Sequence, residues 1–297
     1  MKCDLCPRKC LVDRKKGEKG ICGQTENLKV ARAALHFWEE PCISGDAGSG
    51  AVFFSGCSLH CVFCQNENIA NGTVGKEISL ERLVDIFLEL QEKRANNINL
   101  VTPGHFVPQI VKALDQARKE GLTLPVVYNT SSYETVDTIK MLEGYVDIYL
   151  PDFKYMSPVL SKKYSHAPDY AEVAKAAIAE MVRQTGKAVF VNGEEDNLIL
   201  SGTIVRHLTL PGCMADSMQI LKYLHETYGD MIYISIMNQF TPLSNLEKYP
   251  ELNRRITDVE YETLVDYAID IGIENGFIQE GDTAEESFIP AFDCEGV

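Results

Sequence analysis

Basic residues are scarce in this chain. Lys and Arg number 28 against 43 Asp and Glu over 297 residues, a formal net charge of −15. A surface of that sign repels phosphate backbones and anionic headgroups, so nucleic acid and acidic membrane are not expected partners, while proteins remain open. Long apolar runs are missing as well: no stretch approaches the ~18 apolar residues that a membrane span needs. Met1-Lys2-Cys3-Asp4 does not open an export signal, and a cytoplasmic location is expected. Without export, the ten cysteines argue for metal or redox chemistry rather than a disulfide framework. No internal repeat or low-complexity tract stands out. What is plentiful is core-forming material, 45% of the residues, and this length suits one or two domains, with α/β barrels often running to ~250 residues as one.

The cysteines fall into two sets. The first is Cys57, Cys61 and Cys64 in the run Gly56-Cys57-Ser58-Leu59-His60-Cys61-Val62-Phe63-Cys64-Gln65-Asn66, directly after the apolar stretch 50–55. That stretch reads as a buried strand, which puts C-x3-C-x2-C on a loop at its C-terminal end. Three thiolates on one loop suit a soft metal centre, and a cubane iron–sulfur cluster normally takes four. Three leave one iron open to a substrate, as an open position does in catalytic zinc sites. A zinc site or three buried thiols is the plainer alternative. The second set is Cys3, Cys6, Cys10 and Cys22, in a segment poor in apolar residues. There a metal can supply folding energy, either as a closed zinc site or as a second, fully ligated iron–sulfur cluster.

The three-cysteine run, with an aromatic before its last cysteine, resembles the signature of the radical S-adenosylmethionine enzymes. The resemblance implies that Cys57, Cys61 and Cys64 hold a 4Fe-4S cluster. Its open iron would chelate S-adenosylmethionine, with reductive cleavage to a 5′-deoxyadenosyl radical and Phe63 near the adenine. Cys3-x-Leu5-Cys6-Pro7-Arg8-x-Cys10 and Val205-Arg206-His207-Leu208-x-Leu210-Pro211-Gly212 extend the resemblance over almost the whole chain. They point to the branch related to pyruvate formate-lyase activating enzymes. An activase of that branch would act on a glycyl radical enzyme and draw electrons from a partner such as flavodoxin or ferredoxin.

Beyond the cluster loop, strand patterns at 97–102, 125–128, 145–150, 203–210 and 231–237 alternate with helix patterns at 79–93, 107–119, 134–142, 170–184, 216–227 and 257–271. Counting the strand before the cysteines, six strand–helix units imply a parallel sheet. The expected fold is α/β, a partial (β/α)6 TIM-type barrel over 47–297, preceded by a cysteine-rich segment over 1–46. In that segment Glu39 and Glu40, beside the single tryptophan Trp38, lie in a stretch that either covers one barrel end or faces the site. Cys42 is expected to be a buried small hydrophobe.

Barrel chemistry gathers where strands end. Thr102 and Pro103 stand where many relatives have Gly-Gly-Glu, and they offer only carbonyl oxygens to an amino group. Asn129, Thr130 and Ser131 are placed to bind the methionyl carboxylate or ribose, or to cap a helix starting at Glu134. Asp152 and Lys154, two apart on one strand, share a face; activases have a similar Asp-x-Lys, and a structural ion pair is the alternative. Arg206 faces inward by resemblance and can fork onto a carboxylate, while its neighbour His207 points to the helices. Gln239 shares the inner face of the last strand with Ser235 and Met237. The expected catalytic set is Asp152, Lys154 and Arg206, and three roles compete. The leading one is a glycyl radical activase. The others are a radical enzyme acting on a small molecule or peptide, and a non-enzymatic cysteine module.

Overall fold

The computed structural model of the chain describes residues 2–193, 197–243, 246–279 and 290–297. The elements are β1 Leu28–His36, α1 Pro41–Ser44, β2 Ser49–Phe54, α2 Glu67–Ala70, β3 Lys76–Ile78, α3 Leu80–Glu92 and β4 Ile98–Val101. Then follow α4 Val107–Lys119, β5 Val126–Thr130, α5 Val136–Lys140, β6 Ile148–Pro151, α6 Pro158–Ser165, α7 Tyr170–Thr185 and β7 Val189–Phe190. The chain continues through β8 Ile199–Leu208, α8 Met214–Tyr228, β9 Tyr233–Met237, α9 Asp258–Asp270 and β10 Gly276–Ile278.

One sheet organises these elements, in the order β10-β9-β8-β6-β5-β4-β2-β1-β3, with β7 beside β8. From β2 to β10 along that order every pairing is parallel. All six expected strands are present, and the sheet is an open, partial barrel: among the described residues β10 and β3 do not meet. Two additions were not foreseen. β10 extends the parallel run, and β1 adds antiparallel to β2 with β3 beyond it. A register shift between Val30 and Arg32 breaks the two-residue alternation of β1, so its sequence gave no strand signal.

Helices form where apolar residues recur at helical spacing and the ends are capped. In α3 the Ser79 hydroxyl accepts the Arg82 backbone N–H at 3.1 Å, and Leu83, Val84, Ile86, Phe87 and Leu90 are buried. In α4 the stripe Val107, Ile110, Ala113, Leu114 and Ala117 is fully buried. Burying each of its three larger side chains stabilises the fold by roughly 1.5–3 kcal/mol. The helix expected at Glu134 instead begins at Val136, capped by Thr135. Glu134 turns inward, where its carboxylate accepts from Tyr128 at 3.2 Å and Thr130 at 2.8 Å.

The barrel interior is layered. At the N-terminal end of the strands, Val127, Ile148, Leu150, Ile204 and Tyr233 pack with Cys42 and Ile43 of α1. Because β1 is antiparallel, with His36 opposite Ser49, the β1–β2 connection carrying α1 closes this end. Above the apolar layer lies a polar one, and above that the cluster loop.

Candidate active site

The cysteine loop leaves β2 through Ser55 and Gly56. Gly56 has φ +96°, and a Cβ there would lie 2.5 Å from the Cys22 carbonyl oxygen. No other residue fits that approach of two backbones. Burial, the dominant influence, pushes the thiols of Cys61 and Cys64 up, Cys64 to about 12. Each sulfur has a donor: Leu59 N–H to Cys57 at 3.4 Å, Ser165 Oγ to Cys61 at 2.9 Å, and Asn66 N–H to Cys64. Such bonds favour the thiolate and tune a bound metal. Among the described residues no three His, Cys, Asp or Glu side chains close into a ligand shell, which holds for both cysteine sets alike.

A cavity of about 750 Å³ opens beside this loop and is lined by all three cysteines together with Phe63, Thr102, Asn129, Thr130, Ser131, Asp152, Lys154, Arg206 and Gln239. The loop, β4, β5, β6, β8 and β9 thus deliver the sequence-expected residues to one volume. Pro103 is the exception. It is buried at the start of the turn Gly104–Phe106 and does not line the cavity, because Thr102 takes the wall position with φ +55°. Positive φ in a β-branched residue is strained, and such strain clusters at functional sites. Phe63 sits between Phe240 and Tyr164, at centroid distances of 6.0 and 6.5 Å.

The polar layer is a charge network. Arg206 donates through Nε to Asp152 at 3.0 Å, through Nη1 to Glu39 at 2.9 Å and through Nη2 to Asn129 at 2.7 Å. Asp152 Oδ2 also receives Lys154 at 2.6 Å. Burial alone would push the Asp152 carboxyl up, but Lys154 and then Arg206 override it and hold it below its ordinary value. Arg206 is likewise held charged against burial by Asp152, Glu39 and Glu40. The arginine's fork therefore closes on carboxylates of the protein itself, which makes Arg206 a positioning residue for Asp152. Lys154 has three donors, and the bond to Asp152 uses one.

Glu39 is thus both readings at once. Its connection covers the barrel's lower end, and its side chain enters the interior, accepting also from Asn99 and Asn129 at 3.1 Å each. Burial pushes the Glu40 carboxyl up against the pull of Arg206. His36 and Asn99 are the residues that sequence reasoning missed. His36 lines the cavity, and burial followed by Arg32 and Arg206 lowers it to about 4. Recognising β1, which ends at His36, was the signal that would have exposed that histidine.

Other polar residues stand outside the cavity. His105 Nε2 bonds the Ser55 carbonyl at 2.7 Å. His207 bridges Phe153 O and Ser217 Oγ at 2.8 Å each, toward the helix layer. A second cavity of about 790 Å³, away from the thiols, is bounded by Phe37, Trp38, Glu39, Gln239 and Gln279. The two cavities share Trp38, Glu39 and Gln239 as lining residues. Phe37 and Trp38 are half exposed there. No helix among the described residues is long and apolar enough to cross a membrane.

Comparison with known proteins places these features in context. Residues 51–198 match the family model described as the Radical SAM superfamily. Over 275 residues the chain is 27% identical to an uncharacterized protein of Methanocaldococcus jannaschii, covering 90% of this chain and 74% of that one. Its fold is similar to SuiB of Streptococcus suis bound to S-adenosylmethionine, with TM-score 0.52 and 13% identity over 80% of this chain and 51% of that one. HydG, a maturase of the iron–iron hydrogenase, gives TM-score 0.52 at 14% identity over 78% and 51%. The chain spans about half the length of these two structures, and at such identities the likeness is one of fold.

Proposed function

We propose, from the premise that residues 51–198 belong to the radical SAM superfamily, that this radical enzyme takes its hydrogen from a polypeptide, as a glycyl radical activase does. When bound, the 4Fe-4S cluster and S-adenosylmethionine supply reductive cleavage to a 5′-deoxyadenosyl radical. The residues present fit that pair. Three thiols with backbone and hydroxyl donors lie on the wall of a cavity whose volume is in the range of small-molecule sites.

In this reading Cys57, Cys61 and Cys64 hold the cluster. Lys154, with donors to spare, binds the methionyl carboxylate. Asn129, Thr130 and Ser131 hydrogen-bond the remaining polar edges, and Phe63 with Phe240 faces the adenine. Asp152 stays ionised and keeps Lys154 in place, while Arg206 anchors Asp152 from below. Leu59, Leu208, Met237 and Leu243 supply apolar wall that keeps water from a reactive intermediate.

The observation that carries the polypeptide reading is that the thiol-lined cavity and a second one share Trp38, Glu39 and Gln239 as lining, with Phe37 and Trp38 half exposed at the second. Exposed aromatics at a concave opening are common protein-docking anchors. The Asp152-Phe153-Lys154 run, similar to that of activases, agrees with it. Among proteins of this fold, SuiB has been solved bound to precursor peptide SuiA.

The test is anaerobic reduction with S-adenosylmethionine and glycyl radical enzymes encoded in the same genome. The expected result is a stable doublet in the partner's electron paramagnetic resonance spectrum, lost when the partner's glycine becomes alanine. Cleavage of S-adenosylmethionine that no such partner or peptide accelerates, but a small-molecule extract does, overturns the reading.

A further inference from the structure

The N-terminal segment is built around sulfur instead of hydrocarbon. Across residues 2–27 only Arg14, Cys22 and Gln24 are buried, while the larger apolar side chains Leu11 and Ile21 are about half exposed. A segment without an apolar core needs another source of folding energy. Its four cysteines lie within electrostatic reach of one another, Cys6 of Cys10 and Cys22, and Cys22 of Cys3 and Cys10, without closing into a ligand shell.

The backbone is wrapped so that N–H groups point at these sulfurs. Cys6 accepts from Arg8 N–H, Cys22 from Gln24 N–H, and Cys10 from Ile21 N–H at 3.3 Å. In Cys6 and Cys22 the donor is two residues on, the same arrangement found at Cys57 with Leu59 and at Cys64 with Asn66. Two cysteine sets share one local geometry. The turns it requires place Lys9 at φ 43° and Leu11 at φ 55°. At Gly20 a Cβ would lie 2.9 Å from Cys10 Sγ, so the chain there must pass close to the sulfur. A backbone strained in this way to turn amides toward three of the four thiols suits a metal–thiolate knuckle and contributes nothing to apolar packing.

We propose that Cys3, Cys6, Cys10 and Cys22 bind a second metal centre, a zinc ion or an iron–sulfur cluster, with four thiolates and no open position. Four ligands complete either centre, so this site holds structure and takes no substrate. Its placement says what it secures. Arg8 donates to Ser58 O at 2.8 Å, Ser165 O at 3.0 Å and His166 O at 2.6 Å. His60 of the cluster loop bonds Ile21 O at 2.8 Å, and Cys22 O packs on Gly56. The second centre thereby clamps the loop that carries the first.

The test is metal content, independent of turnover. Full-length protein carrying Cys57→Ala, Cys61→Ala and Cys64→Ala, purified anaerobically, should retain either one zinc or about four irons per chain. Adding Cys6→Ser and Cys22→Ser should lower that at least tenfold. A folded triple variant with neither metal, or one whose metal survives the serine changes, overturns the proposal. Because these variants can lose their fold, a second measurement uses the unmodified protein. Under alkylation, Cys3 and Cys10 should react at least tenfold more slowly than Cys294, which is also partly buried, until the metal is stripped. Equal rates before stripping overturn it as well.

Discussion

Replacing Arg206 with methionine strands two carboxylates. In the native protein its guanidinium meets Asp152 and Glu39 at 3.0 and 2.9 Å, with side-chain exposures of 14% for the arginine, 16% for Asp152 and 8% for Glu39. Methionine fills similar space but compensates neither charge. Asp152 keeps Lys154, whereas Glu39 keeps only the amides of Asn99 and Asn129. Removing one partner of a buried pair costs about 3–5 kcal/mol, a large share of the ~5–15 kcal/mol that holds a protein folded. At ~2–4 °C per kcal/mol for chains of this size, the melting temperature should fall by roughly 6–20 °C.

The pH dependence separates this cause from a packing defect. Asp152 is held below its ordinary value in the native protein, so its contribution is present above the unfolded carboxylate value of ~3.9 and is lost as pH falls through the lower folded value. In Arg206→Met both Asp152 and Glu40 lose the guanidinium that lowers them. The folded variant then binds more protons than the folded native protein, and its deficit in stability grows as pH rises through that window. The gap between the two proteins, measured by scanning calorimetry on anaerobic samples, should therefore be wider at pH 8 than at pH 5. A loss under ~2 °C at pH 8, or a gap that widens on acidification, refutes the reasoning.

Lys154→Met should weaken S-adenosylmethionine binding by about 10–100-fold, the worth of a charged hydrogen bond, with iron content unchanged; equilibrium binding and iron analysis read both. Gly56→Ala brings a methyl to 2.5 Å from the Cys22 carbonyl at φ +96°; a cost of about 1–3 kcal/mol and reduced iron per chain are expected, checked by melting and metal analysis. Burial lowers His207 from 6.5 to about 4 against the pull of the Phe153 carbonyl, so the unfolded state binds the extra proton and stability drops by about 3 kcal/mol as pH falls across that window. His207→Gln should flatten urea-unfolding stability between pH 6.5 and 4, and an unchanged slope would exclude this histidine as a source of acid sensitivity.

Local chemistry made part of this protein legible without coordinates. Cys57, Cys61 and Cys64 are set by spacing on one loop, and the strand before them by an unbroken apolar run. The two-residue spacing of Asp152 and Lys154 suggests that they share a face, and they meet at 2.6 Å although β6 ends at Pro151, just before them. The six strand–helix alternations require a parallel sheet, since each crossover returns the chain to the same end. These are short-range regularities, and the open barrel follows from them.

Tertiary structure alone decided what those residues meet. Glu39 and Arg206 are 167 positions apart, and no period in the sequence links them. The antiparallel β1 that carries the chain to Glu39 is concealed by its bulge, and it is what brings His36 to the cavity. Thr102 rather than Pro103 faces the cavity because of one left-handed backbone angle. The inward arginine is expected to fork onto a carboxylate, and only the fold names its partners as Asp152 and Glu39, because a buried guanidinium must be paired by whatever carboxylates come within reach. Composition and pattern thus determined the scaffold and the thiols, and long-range packing assigned the charges their partners.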